Sequence, residues 1–335
     1  MPSIKTTTSK KITQKCYLAS GSYDFSIKIW NLPTDSINAT FTSSEGGHTS
    51  EIWTLASLSE GYLVSGSADK TIKVWNIESQ SLIKTFDSSN DGHNSDVWSI
   101  VALNYGGLLA SGSGDNLIKI WDIPNQRLIS TFNSSIGGHL ASVTALAKLA
   151  NGKLASGSDD NTIKIWDVLN TKLICTFNSS IGGHTSQVSA LIELTNGYIA
   201  SGSQDTLIKI WDVTNQKLLS TFNSTIGGHI SPVTALAALK NGYLASGSLD
   251  QTIKIWDVEN KILISTFDTS NGGHTDIILA LVTLKNGYLA SGSGDNSIKI
   301  WDITNKKLNN TLNSNVAGHT NYVSALSSLQ NDCLL

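Results

Sequence analysis

Short apolar stretches alternate with polar turns along the whole chain, and none of them has helical periodicity. In one unit, the apolar run 277–284 is followed by Asn286-Gly287, and this dipeptide predicts a tight hairpin in which both residues adopt positive φ. The next run, 288–293, leads through a Gly-Asp-Asn turn into 297–301, where β-branched residues occupy alternate positions. A fourth, shorter apolar run follows another turn. The pattern therefore predicts four antiparallel strands in about 45 residues.

The same unit occurs seven times, and tryptophans mark its phase. They are spaced 45 residues apart, with one step of 46, at Trp30, Trp75, Trp121, Trp166, Trp211, Trp256 and Trp301. A Gly-His pair follows the same spacing and uses all seven histidines of the chain: His48, His93, His139, His184, His229, His274 and His319. Four-stranded units on such a period pack side by side in a ring, which predicts a β-propeller with one blade per unit.

The Gly-His, Ser-Gly-Ser-x-Asp and Trp-Asp motifs resemble those of the WD-repeat (WD40) family over roughly residues 16 to 329. Trp30-Asn31 and Trp75-Asn76 depart from the family pattern, because Asn replaces the Asp that caps the strand end. The segments before Gly-His are also longer than usual. The resemblance implies an all-β fold, a seven-bladed propeller of four-stranded antiparallel blades.

The phase of the two chain ends predicts how the ring closes. The chain enters the repeat at a second strand, 17–20, and leaves it at a first strand, 322–329, that has no partners of its own. We predict that this C-terminal strand completes the first blade, which removes two exposed sheet edges. The alternative uses residues 4–13 as the missing strand and makes the C-terminal segment a truncated eighth blade. In domain terms, 1–15 is a polar N-terminal extension and 16–335 a single propeller.

The resemblance also assigns a role to the repeated polar residues. In WD repeats the His after Gly, a Ser of the second strand, the turn Asp and the Trp of the third strand form a buried hydrogen-bonded tetrad. We assign the first Ser of Ser-Gly-Ser, with the second as the alternative. The tetrads are His48, Ser65, Asp69 and Trp75; His93, Ser111, Asp115 and Trp121; His139, Ser156, Asp160 and Trp166; His184, Ser201, Asp205 and Trp211; His229, Ser246, Asp250 and Trp256; His274, Ser291, Asp295 and Trp301; and, joining the chain ends, His319, Ser20, Asp24 and Trp30.

Seven His and seven Asp in a fixed relation also suggest metal or acid–base chemistry. The structural interpretation is favoured, because an imidazole can donate to a carboxylate while accepting from a hydroxyl, and a buried indole N–H needs an acceptor. No Ser/His/Asp or Cys/His set remains outside the repeat. We therefore expect no metal, no cofactor and no enzymatic activity.

Positions at which the copies differ are better candidates for function. In WD propellers one rim, called the top, is lined by the residues three and five places after the His and by the residue before the turn Asp. At these places the chain carries Trp53 and Trp98, the only tryptophans outside the repeat position, each two residues after a carboxylate, Glu51 and Asp96. Across the ring we expect an apolar arc of Pro232, Leu249, Ile277, Leu279, Tyr322 and Tyr23.

These residues predict a top face that binds a partner segment, with the acidic pair favouring a Lys- or Arg-bearing ligand that also stacks on an indole. The alternative is that the two tryptophans fill the central channel or reflect drift between the copies.

Composition narrows the partners. The formal net charge is −3, the only arginine is Arg127 and there is no basic block, which argues against a nucleic-acid binder. No apolar run is long enough to span a membrane, and none resembles a signal peptide. Cys16, Cys175 and Cys333 have no metal spacing and no paired framework, so we expect a reduced compartment, the cytoplasm or the nucleus.

The expected function is that of a non-enzymatic scaffold, a monomeric propeller that binds other proteins or peptides within a complex. The alternative is a substrate-recognition subunit, or the propeller part, of a larger assembly such as a ubiquitin ligase or a regulatory NTPase protein.

Overall fold

The computed structural model describes residues 16–58, 61–103, 106–240 and 242–329, and within them the chain forms seven four-stranded antiparallel sheets. Each sheet is one blade. From the innermost strand outwards, the blades are β28 (Val323–Ser328), β1 (Tyr17–Ser22), β2 (Ile27–Asn31) and β3 (Ser36–Phe41); β4 (Ile52–Ser57), β5 (Tyr62–Ser67), β6 (Ile72–Asn76) and β7 (Ser81–Phe86); β8 (Val97–Ala102), β9 (Leu108–Ser113), β10 (Ile118–Asp122) and β11 (Arg127–Phe132); β12 (Val143–Lys148), β13 (Lys153–Ser158), β14 (Ile163–Asp167) and β15 (Lys172–Phe177); β16 (Val188–Glu193), β17 (Ile199–Ser203), β18 (Ile208–Asp212) and β19 (Lys217–Phe222); β20 (Val233–Ala238), β21 (Tyr243–Ser248), β22 (Ile253–Asp257) and β23 (Ile262–Phe267); and β24 (Ile278–Thr283), β25 (Leu289–Ser293), β26 (Ile298–Asp302) and β27 (Lys307–Leu312).

Short 3-10 turns precede the Gly-His pairs and account for the long segments there. They are Ser43–Glu45, Ser88–Asn90, Ser134–Ile136, Ser179–Ile181, Ser224–Ile226, Thr269–Asn271 and Ser314–Val316. No helix in the described part of the chain is long and apolar enough to cross a membrane.

The seven innermost strands contact one another in a closed cycle, β28 to β4, β8, β12, β16, β20, β24 and back to β28. The prediction of a seven-bladed propeller is confirmed. Its hydrophobic cores lie between blades, since each cluster of buried residues combines side chains from two neighbouring sheets.

Aromatic contacts hold one blade against the next. At six of the seven seams, the Phe that ends an outermost strand packs on the buried Trp of the following blade, with ring centroids between 4.6 and 5.0 Å apart. At the seam between the seventh and first blades, Leu312 replaces the Phe and packs in the cluster that contains Trp30.

The glycine of Ser-Gly-Ser allows this close packing. A Cβ on Gly202 would lie 2.6 Å from Val233 Cγ1 of the next blade, well inside van der Waals contact. The repeated glycine is therefore required by the approach of the neighbouring inner strand, and Gly202 itself has an ordinary negative φ.

Ring closure follows the prediction from the chain ends. β28 pairs antiparallel with β1, and Leu18 lies opposite Ser328. The first blade thus has four strands within the described residues. The 1–15 extension, and the alternative strand at 4–13, lie outside those residues.

The prediction for the Asn-Gly hairpins is wrong in one detail. Gly287 has φ of 91°, but Asn286 is not in the positive-φ region. The side-chain oxygen of Asn286 instead accepts a hydrogen bond from Tyr288 N–H, which stabilises a turn with a single left-handed residue. The left-handed non-glycine residues occur elsewhere, for example at Asn296, directly after the turn Asp.

The exceptional seam gives a stability test. We expect Leu312→Phe to stabilise the protein by about 0.5–1.5 kcal/mol, because it installs the aromatic pair that the other six seams contain. Thermal unfolding measures the effect. The matched substitution Phe177→Leu removes such a pair and is expected to lower the melting temperature; a lower melting temperature for Leu312→Phe would contradict the interpretation.

Candidate functional site

The buried tetrad is a directional chain of hydrogen bonds. In the fifth blade, His184 Nδ1 lies 2.8 Å from Asp205 Oδ2 and His184 Nε2 lies 2.7 Å from Ser201 Oγ. Trp211 Nε1–H donates to the same Ser201 Oγ at 2.8 Å. An ionised carboxylate only accepts, so Nδ1–H donates to Asp205, and Nε2 accepts from the hydroxyl. Each of these side-chain polar atoms of the tetrad thereby has a hydrogen-bond partner.

The same contacts recur in all seven blades. The corresponding distances lie between 2.7 and 2.9 Å throughout, including the tetrad of His319, Ser20, Asp24 and Trp30 that joins the two chain ends. The first Ser of Ser-Gly-Ser is the member in every case. The second Ser, such as Ser203, accepts from the Asp205 N–H and donates to the Ser186 carbonyl.

The turn Asp joins several segments of its blade. Besides His184, Asp205 accepts backbone N–H bonds from Thr185 and Leu207. Burial opposes ionisation of Asp205, but its hydrogen bonds and the attraction of His184 outweigh burial and hold its pKa below the usual range. Burial lowers the pKa of His48, His93, His274 and His319, although their Asp partners oppose that shift.

The tetrads engage the histidine side chains of the repeats in hydrogen bonds. Both ring nitrogens of each His are engaged, and no three His, Cys, Asp or Glu side chains among the described residues are grouped as metal ligands. The positions where the blades differ are therefore the better candidates for function.

The residue three places after each His and the residue before each turn Asp are neighbours on the top face. In every blade the backbone N–H of the second donates to the carbonyl of the first, at 2.9 to 3.0 Å. The pairs are Tyr322 with Tyr23, Glu51 with Ala68, Asp96 with Gly114, Ser142 with Asp159, Gln187 with Gln204, Pro232 with Leu249, and Ile277 with Gly294.

The residue five places after each His points into the central channel. It lies on a β-bulge of the innermost strand, as Trp98 does where the β8–β9 register shifts between Val97 and Ser99. These residues line a cavity of about 210 Å³: Trp53, Trp98, Thr144, Ser189, Thr234, Leu279 and Ser324. We refer to this end of the cavity, together with the top-face pairs, as the channel mouth.

Trp53 and Trp98 belong to a continuous group of four rings. Their centroids are 4.4 Å apart, Trp53 meets Tyr23 edge-on at 5.0 Å, and Tyr23 lies 5.2 Å from Tyr322. We call Tyr23, Tyr322, Trp53 and Trp98 the aromatic cluster. It spans the first three blades, and Trp53 Nε1 is buried within it without a hydrogen-bond partner.

This geometry corrects the grouping expected from the sequence. Tyr23 contacts Trp53, and Tyr322 contacts Tyr23, so both tyrosines belong with the tryptophans and not with the apolar arc. The other members of the arc lie on the sixth and seventh blades: Leu249 is exposed, Pro232 and Ile277 are partly exposed, and Leu279 lines the channel.

The channel mouth is acidic beside the aromatic cluster. Ser50 donates a hydrogen bond to Glu51 and lowers the pKa of its carboxyl. Burial, followed by the charge of Glu51 and by Tyr322, raises the pKa of Tyr23 to about 12. The variable positions of the mouth include the carboxylates Glu51, Asp96 and Asp159 but no lysine or arginine.

Sequence reasoning missed the hydroxyls that join neighbouring blades inside the channel. Thr144 Oγ1–H donates to the Val188 carbonyl of the next blade at 2.6 Å. Where Trp98 occupies that position, the next residue, Ser99, accepts from Leu146 N–H at 3.0 Å instead. The sequence does contain a sign of these bonds: a Ser or Thr lies five places after the His in most blades, and six places after it where Trp occupies the fifth place.

The cysteine prediction also needs correction. Cys16 is disulfide-bonded, whereas Cys175 is a free, half-buried thiol whose pKa is raised by burial. The expectation that no cysteine is paired is wrong, and the inference of a reduced compartment loses that support.

The closed ring of blades, the buried tetrads and the variable mouth define a repeat propeller. The family model for the WD domain, G-beta repeat, matches residues 13–31, 39–76, 80–122, 128–167, 172–212, 218–257 and 263–302. The chain belongs to the WD-repeat family, whose propellers generally bind other proteins and are typically not enzymes. A search of curated proteins returned no match.

Removing the carboxylate of one tetrad should destabilise the fold. We expect Asp205→Ala to cost about 1–3 kcal/mol, because His184 Nδ1–H and two backbone N–H groups lose their acceptor. Thermal or urea unfolding measures it. Asp159→Ala, at an exposed carboxylate of the mouth, is the control; an unchanged melting temperature for Asp205→Ala would count against the tetrad.

Acid should weaken the tetrads. The folded-state pKa values of the tetrad Asp residues and of four His residues lie below their ordinary values. The unfolded chain therefore binds more protons, so stability is full above about pH 6.5 and falls as the pH drops, first through the His contribution and below about pH 4 through the Asp contribution. Melting temperatures measured from neutral to acidic pH test this, and a flat profile would contradict it.

Proposed function

We propose that the protein is an interaction module whose channel mouth binds a partner segment by a Lys or Arg side chain. The aromatic cluster with its adjacent carboxylates is the observation that carries the proposal. Four rings and the carboxylate of Glu51 surround one side of the mouth. A cation over the face of Trp or Tyr gains about 0.5–2 kcal/mol, depending on how far it is desolvated.

Charge favours a basic ligand over an acidic one. Glu51 and Asp96 precede Trp53 and Trp98 by two residues, and none of the variable positions of the mouth carries a positive charge. A basic side chain would therefore gain attraction from the carboxylates as well as from the ring faces. An acidic side chain would be repelled by the same groups.

The apolar residues of the sixth and seventh blades extend the proposed surface. Leu249 is exposed at the rim, and Pro232 and Ile277 are partly exposed. A ligand held by its basic residue at the aromatic cluster could place an apolar side chain on this part of the mouth. The family generally binds proteins, which supports a peptide segment as the ligand.

Selection from a random displayed-peptide library tests the proposal. With the full chain as bait, we expect enrichment of Lys or Arg at one peptide position and loss of binding in Trp53→Ala/Trp98→Ala. Gln187→Ala/Gln204→Ala is the matched control, because it alters a top-face pair outside the aromatic cluster. Circular dichroism confirms that each variant is folded. Selected peptides that bind the Trp double variant as tightly as the native chain would refute the proposal.

The charge contribution can be separated from the rings. We expect Glu51→Gln/Asp96→Asn to weaken the selected peptides about tenfold, equivalent to about 1.4 kcal/mol, and to reduce the salt dependence of binding. Fluorescence titration at two salt concentrations measures both. Unchanged affinity and salt dependence would show that these carboxylates do not contact the ligand.

A further inference from the structure

At two variable positions of the mouth, the sizes of the side chains are inversely related from blade to blade. Where the channel position, five places after the His, holds a large side chain, the rim position before the turn Asp holds a small one. The pairs with a large channel residue are Trp53 with Ala68, Trp98 with Gly114 and Leu279 with Gly294. The pairs with a small channel residue are Ser324 with Tyr23, Thr144 with Asp159, Ser189 with Gln204 and Thr234 with Leu249.

The third blade gives the physical reason. A Cβ added to Gly114 would lie 3.3 Å from Trp98 Nε1 and 2.8 Å from Ser95 Oγ. The edge of the indole thus reaches the space that a rim side chain would occupy. Gly114 has no positive φ, so its backbone does not require glycine. The constraint is steric: Ser95 Oγ is the nearest atom to a Cβ at this position, and the Trp98 indole is the next side chain that it would meet.

The bulge explains why the two positions compete. Trp98 is the extra residue on β8, between Val97 opposite Ser113 and Ser99 opposite Gly112. Its side chain is thereby placed beside the turn that follows Ser113, where Gly114 stands. In the third blade the two positions therefore compete for one volume; in the seventh blade a Cβ on Gly294 would instead meet Asp276 and Ile277.

We propose that Gly114 is a positioning residue for binding: its missing side chain holds Trp98 against Trp53 and so determines where on the ring the aromatic cluster forms. This inference rests on the proposed function, since it explains what places the cation-binding rings. It also implies that the channel and rim residues of a blade act as one exchangeable unit.

Substitutions copied from the fifth blade test the inference. Gly114→Gln introduces the rim residue of that blade, and Trp98→Ser/Gly114→Gln recreates its whole pair, Ser189 with Gln204. Gly294→Gln is the matched control, because it enlarges the same position in the seventh blade, away from both tryptophans of the cluster. The readouts are exciton-coupled circular dichroism of the Trp53–Trp98 pair and thermal unfolding.

We expect Gly114→Gln to abolish the Trp–Trp exciton signal and lower the melting temperature, and Gly294→Gln to leave that signal intact. Trp98→Ser/Gly114→Gln should be more stable than the sum of its single variants predicts. An intact exciton signal in Gly114→Gln, or strictly additive melting temperatures, would overturn the inference.

Binding distinguishes this inference from the proposed function. The most strongly selected basic peptide should bind Gly114→Gln about tenfold more weakly than the native chain, and bind Gly294→Gln as the native chain does. Loss of the exciton signal with unchanged affinity would support the positioning role of Gly114 and refute the role of Trp98 in binding. A retained signal would refute the positioning role whatever the affinity.

Discussion

Each blade depends on one buried chain of hydrogen bonds that starts at a carboxylate and ends at an indole N–H. A typical hydrogen bond adds only about 1 kcal/mol, but a buried polar group left without its partner costs about 1–3 kcal/mol. The tetrad therefore matters mainly because it is costly to break: the loss of one side chain leaves the remaining buried polar groups without partners. It fixes the His loop, the second strand and the turn before the third strand in one arrangement. Both ring nitrogens of each repeat His are engaged in this network.

The same chain seals the ring, because His319 reaches Ser20 and Asp24 across almost the full sequence. Closure is nevertheless built with fewer repeated contacts than the other seams. Leu279 and Ala280 carry no hydroxyl to join the seventh blade to the first, and Leu312 replaces the Phe found elsewhere. Pairing of β28 with β1 inside the first blade joins the C-terminal strand to the N-terminal strands and so closes the ring.

Much of this architecture was predictable, since seven copies fix the strand phase and the closing strand, and the resemblance to the WD-repeat family implies the tetrad members. The predicted turn geometry was wrong at Asn286-Gly287, where we expected two residues with positive φ. The Asn286 side chain accepts a hydrogen bond from Tyr288 N–H, and only Gly287 is left-handed. The site was less predictable because its contacts join different blades. Tyr23 and Trp53 share no motif, and only the ring places them 5.0 Å apart. The disulfide at Cys16 could not be inferred either, since cysteines do not follow the repeat.

The competition for space at the mouth explains how a nearly uniform frame acquires a distinctive surface. In the third blade, Trp98 of the inner strand and the rim position Gly114 compete for the same space. A large residue from the strand narrows the channel, and a large residue from the turn extends the rim. Trp53 and Trp98 come from the inner strands of neighbouring blades and contact each other. Tyr23 of the first blade contacts Trp53 from the rim. The order of large and small residues around the ring therefore sets where the aromatic cluster forms.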